Sequence, residues 1–282
     1  MRATAPFDIF VDAPPVIAGA GELGVTRVGA TSVVCRARAT SPLKLLTPRN
    51  HGRAAWVFTS TYGGGLVDGD AVTLDVEVEA GASAFVSTQA STKVYRSTRG
   101  VSTLLRARVA EGGLLVLLPD PVVCFAQSTY QQAQYFDLAA DASLVCLDWM
   151  TSGRRAHGER WAFDRYRTRL AIRVDGRSVC YDAVTLAAED QPLAERFGRF
   201  DVLATLAIAG PTFRDVSERL IARAAARPVE RGADTVMAVS PLADGALIRL
   251  AGRSVEDVGR TLRDCLDFLP SVLGDDPWTR KW

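Results

Sequence analysis

The sequence predicts a mainly β protein: an elongated, solenoid-like body of stacked β-hairpins, with two amphipathic helices near the C-terminus. Three observations carry this. Apolar and polar residues alternate with period two through much of the first two thirds. A strand–turn–strand unit recurs there, its turn residues Gly81, Gly112 and Asp141 lying 31 and 29 residues apart. Apolar residues with a 3.6-residue period occur only in the last third.

The elements follow in order. Val72, Leu74, Val76 and Val78 alternate with Thr73, Asp75, Glu77 and Glu79, the pattern of a half-buried strand. Ala80-Gly81 breaks the run, and Ala82 to Thr88 resumes it. The segments 107–116 and 136–145 repeat that arrangement, and Asp175-Gly176 marks a tighter hairpin turn. Leu114 to Leu118 is apolar at every position, as in a strand covered on both faces. Thr212 and Ser254 each precede an acidic residue by three positions and open a helical pattern. Pro228 and Pro270 mark the expected helix ends. Between these helices, Thr235–Val239 and Gly245–Ala251 read as strands. No long flexible linker interrupts the chain. It reads as one domain, a β-rich body over about 1–210 and a helix-containing part over about 211–282.

Composition narrows the function classes. With 33 Lys+Arg against 32 Asp+Glu, the net charge of +1 gives no electrostatic reason to expect nucleic acid or an anionic membrane as partner. No apolar run is long enough to span a bilayer, and Met1 to Phe10 lacks the apolar core of a signal peptide. The two histidines, His51 and His157, and the five dispersed cysteines exclude a CxxC zinc site or a dense disulfide framework. Cysteines set in apolar runs fit a reducing, cytoplasmic setting.

Several stretches carry candidate chemistry. Tyr62-Gly-Gly-Gly-Leu-Val-Asp-Gly-Asp70 permits either a tight turn or close backbone approach. It lacks the Lys of a phosphate loop. Ser87 to Arg96, with Thr88, Ser91, Lys93 and Tyr95, reads as an exposed edge strand or the polar lining of a cavity or interface. Asp120 sits between Pro119 and Pro121 after an apolar strand. Asp148 lies between Leu147 and Trp149, where a carboxylate is either paired, with Arg154 or Arg155 the nearest candidates, or functional. Asp70, Asp120, Asp148 and Glu159 could supply the carboxylate pair of a β-helical carbohydrate hydrolase. Cys124 and His157 could form a nucleophile pair, although Cys124 in Val-Val-Cys-Phe reads as core; His51 reads as a loop residue. No Gly-x-Ser-x-Gly elbow occurs. The residues alone leave a carboxylate-pair enzyme and a non-catalytic binding protein both open.

Taken together, Ser41-Pro-Leu-Lys44, Thr61 to Asp70, Thr88 to Arg96, Pro119 to Phe125, Leu147 to Arg154 and Gly158-Glu-Arg-Trp161 resemble the urease accessory protein UreD (UreH) family. The form is that of the plant-type branch, with Tyr-Gly-Gly-Gly in place of Pro-Pro-Gly-Gly. The resemblance implies a non-enzymatic scaffold that binds apo-urease and UreF, with the GTPase UreG joining through UreF. It implies no tightly bound cofactor. The cargo would be transient Ni²⁺, delivered to urease through an internal polar passage. A passage must hold its ion loosely, which suits carboxylates and hydroxyls better than clustered thiolates and imidazoles. Asp70, Asp120, Asp148 and Glu159 are then the candidate metal-lining groups. Ser87, Thr88, Ser91, Lys93, Tyr95, Arg96 and Arg154 are candidates for the passage or an interface. The apolar helix face Val258, Leu262, Leu266 and Leu269 reads as core packing, or, through the resemblance, as a contact for UreF.

Overall fold

The computed structural model describes residues 17–49, 52–190, 192–226 and 228–279. His51 and the segment read for a signal peptide lie outside them. Two mixed sheets stack face to face, and a helical layer covers the far side of one.

Strands β1 (Ile17–Val28) and β2 (Thr31–Ala39) form an antiparallel pair in a seven-stranded outer sheet. Strands β3 (Leu43–Leu46) and β4 (Ala55–Thr61) start a ten-stranded inner sheet. The chain then shuttles between sheets. Strands β5 (Asp70–Val78), β8 (Val101–Val109) and β11 (Thr129–Leu138) lie in the outer sheet. Strands β6 (Ser83–Thr88), β9 (Leu114–Leu118) and β12 (Ser143–Thr151) lie in the inner one. Two short strands, β7 (Thr92–Val94) and β10 (Val122–Cys124), lie in the return segments. Strands β13 (Arg165–Val174) and β14 (Arg177–Ala187) close the outer sheet as a hairpin through Asp175-Gly176. The short helix α1 (Leu193–Phe197) leads to β15 (Val202–Ala209) of the inner sheet. Helix α2 (Arg214–Ala226) precedes β16 (Thr235–Leu242) and β17 (Gly245–Gly252), which extend that sheet. Helices α3 (Val255–Cys265) and α4 (Leu269–Leu273) end the described chain.

The repeat near 30 residues corresponds to real units, but they are corners, not hairpins. β5 does not pair with β6; it pairs in parallel with β8, and β8 with β11, while β6 pairs in parallel with β9, and β9 with β12. Each corner closes with the same hydrogen bond: Ala82 N–H to Glu79 O, Gly113 N–H to Ala110 O, Ala142 N–H to Ala139 O. The Gly81 and Gly112 corners lie in the left-handed region, at φ 64° and 61°. A corner and a hairpin both need a break between two alternating runs, so one sequence pattern serves either. What separates them is whether the two apolar faces meet each other or face across a core.

Alternation sorts the core. Leu115, Leu117, Leu144, Cys146 and Met150 point between the sheets, with Leu74, Val76, Phe136 and Ile172 opposite. Leu114, Val116, Leu118, Val145, Leu147 and Trp149 point toward the helices. Both faces of β9 and β12 are therefore covered, as the apolar run Leu114–Leu118 predicts.

The two longer helices appear where their periodicity places them. Ser254 caps α3, its Oγ accepting from Asp257 N–H at 3.1 Å. Thr212 does not cap α2; it lies inside a short 3₁₀ turn, Pro211–Phe213, that precedes the helix. Pro270 does not close the last helical segment but occupies the first turn of α4, where its missing N–H costs nothing. Val258, Leu262, Leu266 and Leu269 are at most 1% exposed, packed on the inner sheet. These four side chains are core, so the face of α3 open to a partner is the opposite one, bearing Arg260 and Arg263.

Candidate functional site

The inner sheet is interrupted at one level across several strands. Pairing of β9 with β12 stops at Leu117–Cys146 and resumes only through β10, at Val122–Met150. Pairing of β6 with β9 stops at Ser87–Leu118, and resumes between β7 and β10 at Thr92–Val122. Pairing of β4 with β6 stops at Thr59–Thr88, and the next link is the bridge Leu66–Val94. Pro119 and Pro121 lie in the gap, and neither can donate a ladder hydrogen bond.

A cavity of about 180 Å³ lies between the sheets beneath this gap, with Ser87, Thr88, Asp120 and Asp148 among its lining residues. A groove of about 870 Å³ lies on the other side, between the inner sheet and α3. Ser91, Pro119, Asp120 and Trp149 line both. Thr88 and Asp120 hold the edge of the gap: Thr88 Oγ1 donates to Asp120 Oδ2 at 3.0 Å and accepts from Asp120 N–H at 2.7 Å. Trp149 Nε1 donates to Pro119 O at 2.8 Å, and Ser87 Oγ donates to Leu118 O at 2.5 Å.

Asp148 projects from β12 into the space between the sheets. Thr168 Oγ1 donates to its Oδ2 at 2.5 Å, and Tyr166 OH to its Oδ1 at 3.4 Å. Both donors belong to β13 of the outer sheet. Tyr130 OH donates to Gln132 Oε1 at 3.1 Å, and Gln132 Nε2 to Thr168 Oγ1 at 3.4 Å. Burial pushes the Asp148 carboxyl above its ordinary pKa, while the Thr168, Gln132 and Tyr166 hydrogen bonds oppose that rise. Among the described residues Asp148 forms no ion pair. Arg154 and Arg155, the partners expected from sequence, lie beyond the end of β12 and pair elsewhere: Arg154 with Glu159, Arg155 with Asp201.

The other candidates divide. Asp70 is buried but closes its own turn, accepting from Val67 N–H at 2.8 Å. Glu159 binds Arg154 and accepts from Ala126 N–H at 3.2 Å; the Arg154 guanidinium holds its carboxyl below the ordinary range. Arg154 also lies 4.0 Å from the ring centre of Phe125, which meets Tyr95 edge-on. Asp70, Glu159, Lys93, Tyr95, Arg96 and Arg154 are not among the residues lining the cavity. Gly63 and Gly64 turn the chain at φ 75° and 73°. Gly65 allows close approach, because a Cβ there would sit 2.6 Å from the Tyr95 ring. Cys124 is buried with its thiol pushed up to about 12, unsuited to a nucleophile, and His157 lies in an exposed turn. Among the described residues no three His, Cys, Asp or Glu side chains converge as a metal-binding group.

Residue reading missed the outer-sheet half of the cavity. Tyr130, Gln132 and Gln134 share one face of β11, and that face is the buried one. Polar side chains at alternate positions within a strand were the available signal.

Comparison with known proteins matches residues 18–282 to the model of the UreD urease accessory protein family. The chain belongs to that family. It is 53% identical over 266 residues to a urease accessory protein UreD of Sorangium cellulosum, covering 94% of this chain and 85% of the relative. It is 46% identical over 265 residues to one from Anaeromyxobacter, covering 93% and 89%. It is 31% identical over 290 residues to urease accessory protein D of Arabidopsis thaliana, covering 92% and 99%. UreD proteins are accessory proteins rather than enzymes, and membership places this chain in urease maturation. No helix among the described residues is long and apolar enough to cross a membrane.

Proposed function

We propose that this UreD-family chain is a scaffold that binds apo-urease and UreF, with UreG joining through UreF, and passes nickel through its own interior. In this reading it is the plant-type form, as Tyr62-Gly-Gly-Gly65 suggests. One observation carries the passage. The cavity between the sheets and the groove beside α3 share Ser91, Pro119, Asp120 and Trp149, at the level where the inner sheet is unpaired.

The chemistry of the lining supports weak, reversible handling of the ion. Asp120 and Asp148 supply carboxylate oxygens; Ser87, Thr88 and Ser91 supply hydroxyls. Oxygen donors bind Ni²⁺ more loosely than clustered thiolates and imidazoles do. A transit path needs that weakness, since an ion bound too tightly is never released. Thr168 and Tyr166 already satisfy Asp148, so an ion would compete with existing hydrogen bonds rather than enter a ready cage.

The test is co-expression with the urease subunits and remaining accessory proteins of the same organism. Asp120→Asn and Asp148→Asn are expected to leave the complexes intact while lowering the nickel content and activity of urease. Normal nickel loading by both variants would remove the passage and leave an adaptor role.

A further inference from the structure

The gap in the inner sheet extends past the groove beside α3. The groove covers the part between β9 and β12, around Pro119, Pro121 and Trp149. The part between β4 and β6 lies beyond it. There pairing stops at Thr59–Thr88, and the next link is the bridge Leu66–Val94. Between these two links the turn Tyr62–Gly64 runs on one side, and the segment joining β6 to β7 on the other.

Both sides of this opening line the cavity between the sheets. Ser60, Thr61 and Gly64 border it from the β4 side, and Ala90, Ser91 and Thr92 from the segment that follows β6. Of these six, Ser91 alone also lines the groove. Gly64 and Ala90 are exposed, whereas Tyr130, Gln134 and Asp148, which line the same cavity, are buried. A residue that lines an internal cavity and is itself open to solvent marks a way out. A Cβ at Gly64 would meet nothing within 4 Å, so the space there is open.

The chemistry changes along the cavity. Asp120 and Asp148 are the charged side chains among its lining residues, while hydroxyls, glycine and alanine border the opening. Lys44, the strand partner of Ser60, lies over the Tyr62 ring at 3.6 Å and is not among the lining residues. Neutral oxygens hold a divalent cation more loosely than carboxylates do, because fewer ligand charges face the ion. An ion crossing the opening is therefore not detained there.

We propose that the cavity has a second mouth, between Gly64 and Ala90, and that a divalent cation in transit crosses it. The inference rests on the passage reading. It adds where the end away from the groove lies and which residues set its width.

The test places one bulky side chain in the mouth and another just outside it. Ala90→Trp is compared with Gln89→Trp, since Gln89 is exposed and is not among the lining residues. Each is co-expressed with the same urease set; assembly is checked first, then the nickel content of urease. Ala90→Trp is expected to lower nickel loading about tenfold or more, as a blocked conduit would. Gln89→Trp and Ala90→Ser are expected to load normally. Should Ala90→Trp fold poorly or fail to assemble, the mouth is closed in place instead. Ala90→Cys in a Cys35→Ser chain is treated with a bulky thiol reagent after assembly, beside the Cys35→Ser chain alone; the other cysteines are buried. A fall confined to the Ala90→Cys chain supports the mouth. Normal loading by the blocked chain, with loading impaired by Asp148→Asn, overturns the mouth and leaves the passage standing. Normal loading by all of these variants removes both. Equal losses from Ala90→Trp and Gln89→Trp also overturn the mouth, because bulk outside the cavity would then act alike.

Discussion

Thr88 and Asp120 bind each other twice, the hydroxyl donating to the carboxylate and accepting from the backbone N–H of the same residue. This reciprocal clasp ties the end of β6 to the proline-flanked segment after β9. It holds Asp120 at the gap shared by the cavity and the groove. Thr88→Val removes both bonds without changing shape much. It is expected to cost about 1–3 kcal/mol, because an acceptor and a donor of the buried Asp120 each lose one hydrogen bond. Urea denaturation measures the cost, and an unchanged midpoint would show that the clasp is not holding the segment.

Asp148 makes stability depend on pH. Its folded-state pKa is raised, chiefly by burial, so the folded chain holds this proton to higher pH than the unfolded chain does. Its contribution is most favourable below the ordinary carboxylate pKa of about 4 and declines as pH rises through the raised value. Asp148→Asn is expected to remove this component and raise the urea midpoint at neutral pH. Midpoints of both proteins across the acid-to-neutral range decide the matter; parallel curves would count against it.

Pro119 and Pro121 lie where the inner sheet is unpaired and offer no N–H donors to close it. The double replacement Pro119→Ala with Pro121→Ala is expected to let β9 pair further along β12. Amide exchange at Leu147 to Trp149 should slow, and nickel loading of urease should fall. Unchanged exchange at these amides would show that side chains, not prolines, maintain the gap.

Asp201 receives both Arg155 and Arg160 while almost wholly buried. Arg160 also donates to the carbonyls of Gly198 and Phe200. The cluster fastens the segment after β12 to the start of β15. Asp201→Ala is expected to cost about 2 kcal/mol or more, somewhat less than for a fully buried pair because the arginines can reach water. Limited proteolysis around Arg154 to Arg160 should accelerate; resistance equal to wild type would argue against the fastening role.

Helix α3 is part of the core. Leu262, 1% exposed, packs with Val258 and Leu266 against the inner sheet. Leu262→Ala is expected to cost about 2–5 kcal/mol, the usual range for a buried leucine. Truncation before Ser254 should therefore expose the inner sheet and unfold the chain, rather than remove a partner contact alone. A truncated chain with wild-type melting would refute this.

Local chemistry was legible in the sequence. Alternation located β5, and the strand–turn–strand repeat located β6, β9 and β12; the Ser254 cap and 3.6-residue period located α3; Asp175-Gly176 marked a true hairpin. Each follows from short-range rules, since strand alternation, capping and turn preference depend on residues a few positions apart. The motif order also carried the family. Pairing partners were decided only by the tertiary structure. The units near Gly81, Gly112 and Asp141 look like hairpins, yet their strands join different sheets, because the core lies between their two arms. Asp148 illustrates the same limit. Its burial was readable from Leu147 and Trp149, but its partners come from Tyr166 and Thr168, across the core rather than from the arginines next in sequence. Asp70 and Asp120 were alike in the sequence as candidate lining acids. One closes its own turn and the other lines a gap through a sheet, a distinction set by which strands stop pairing and where.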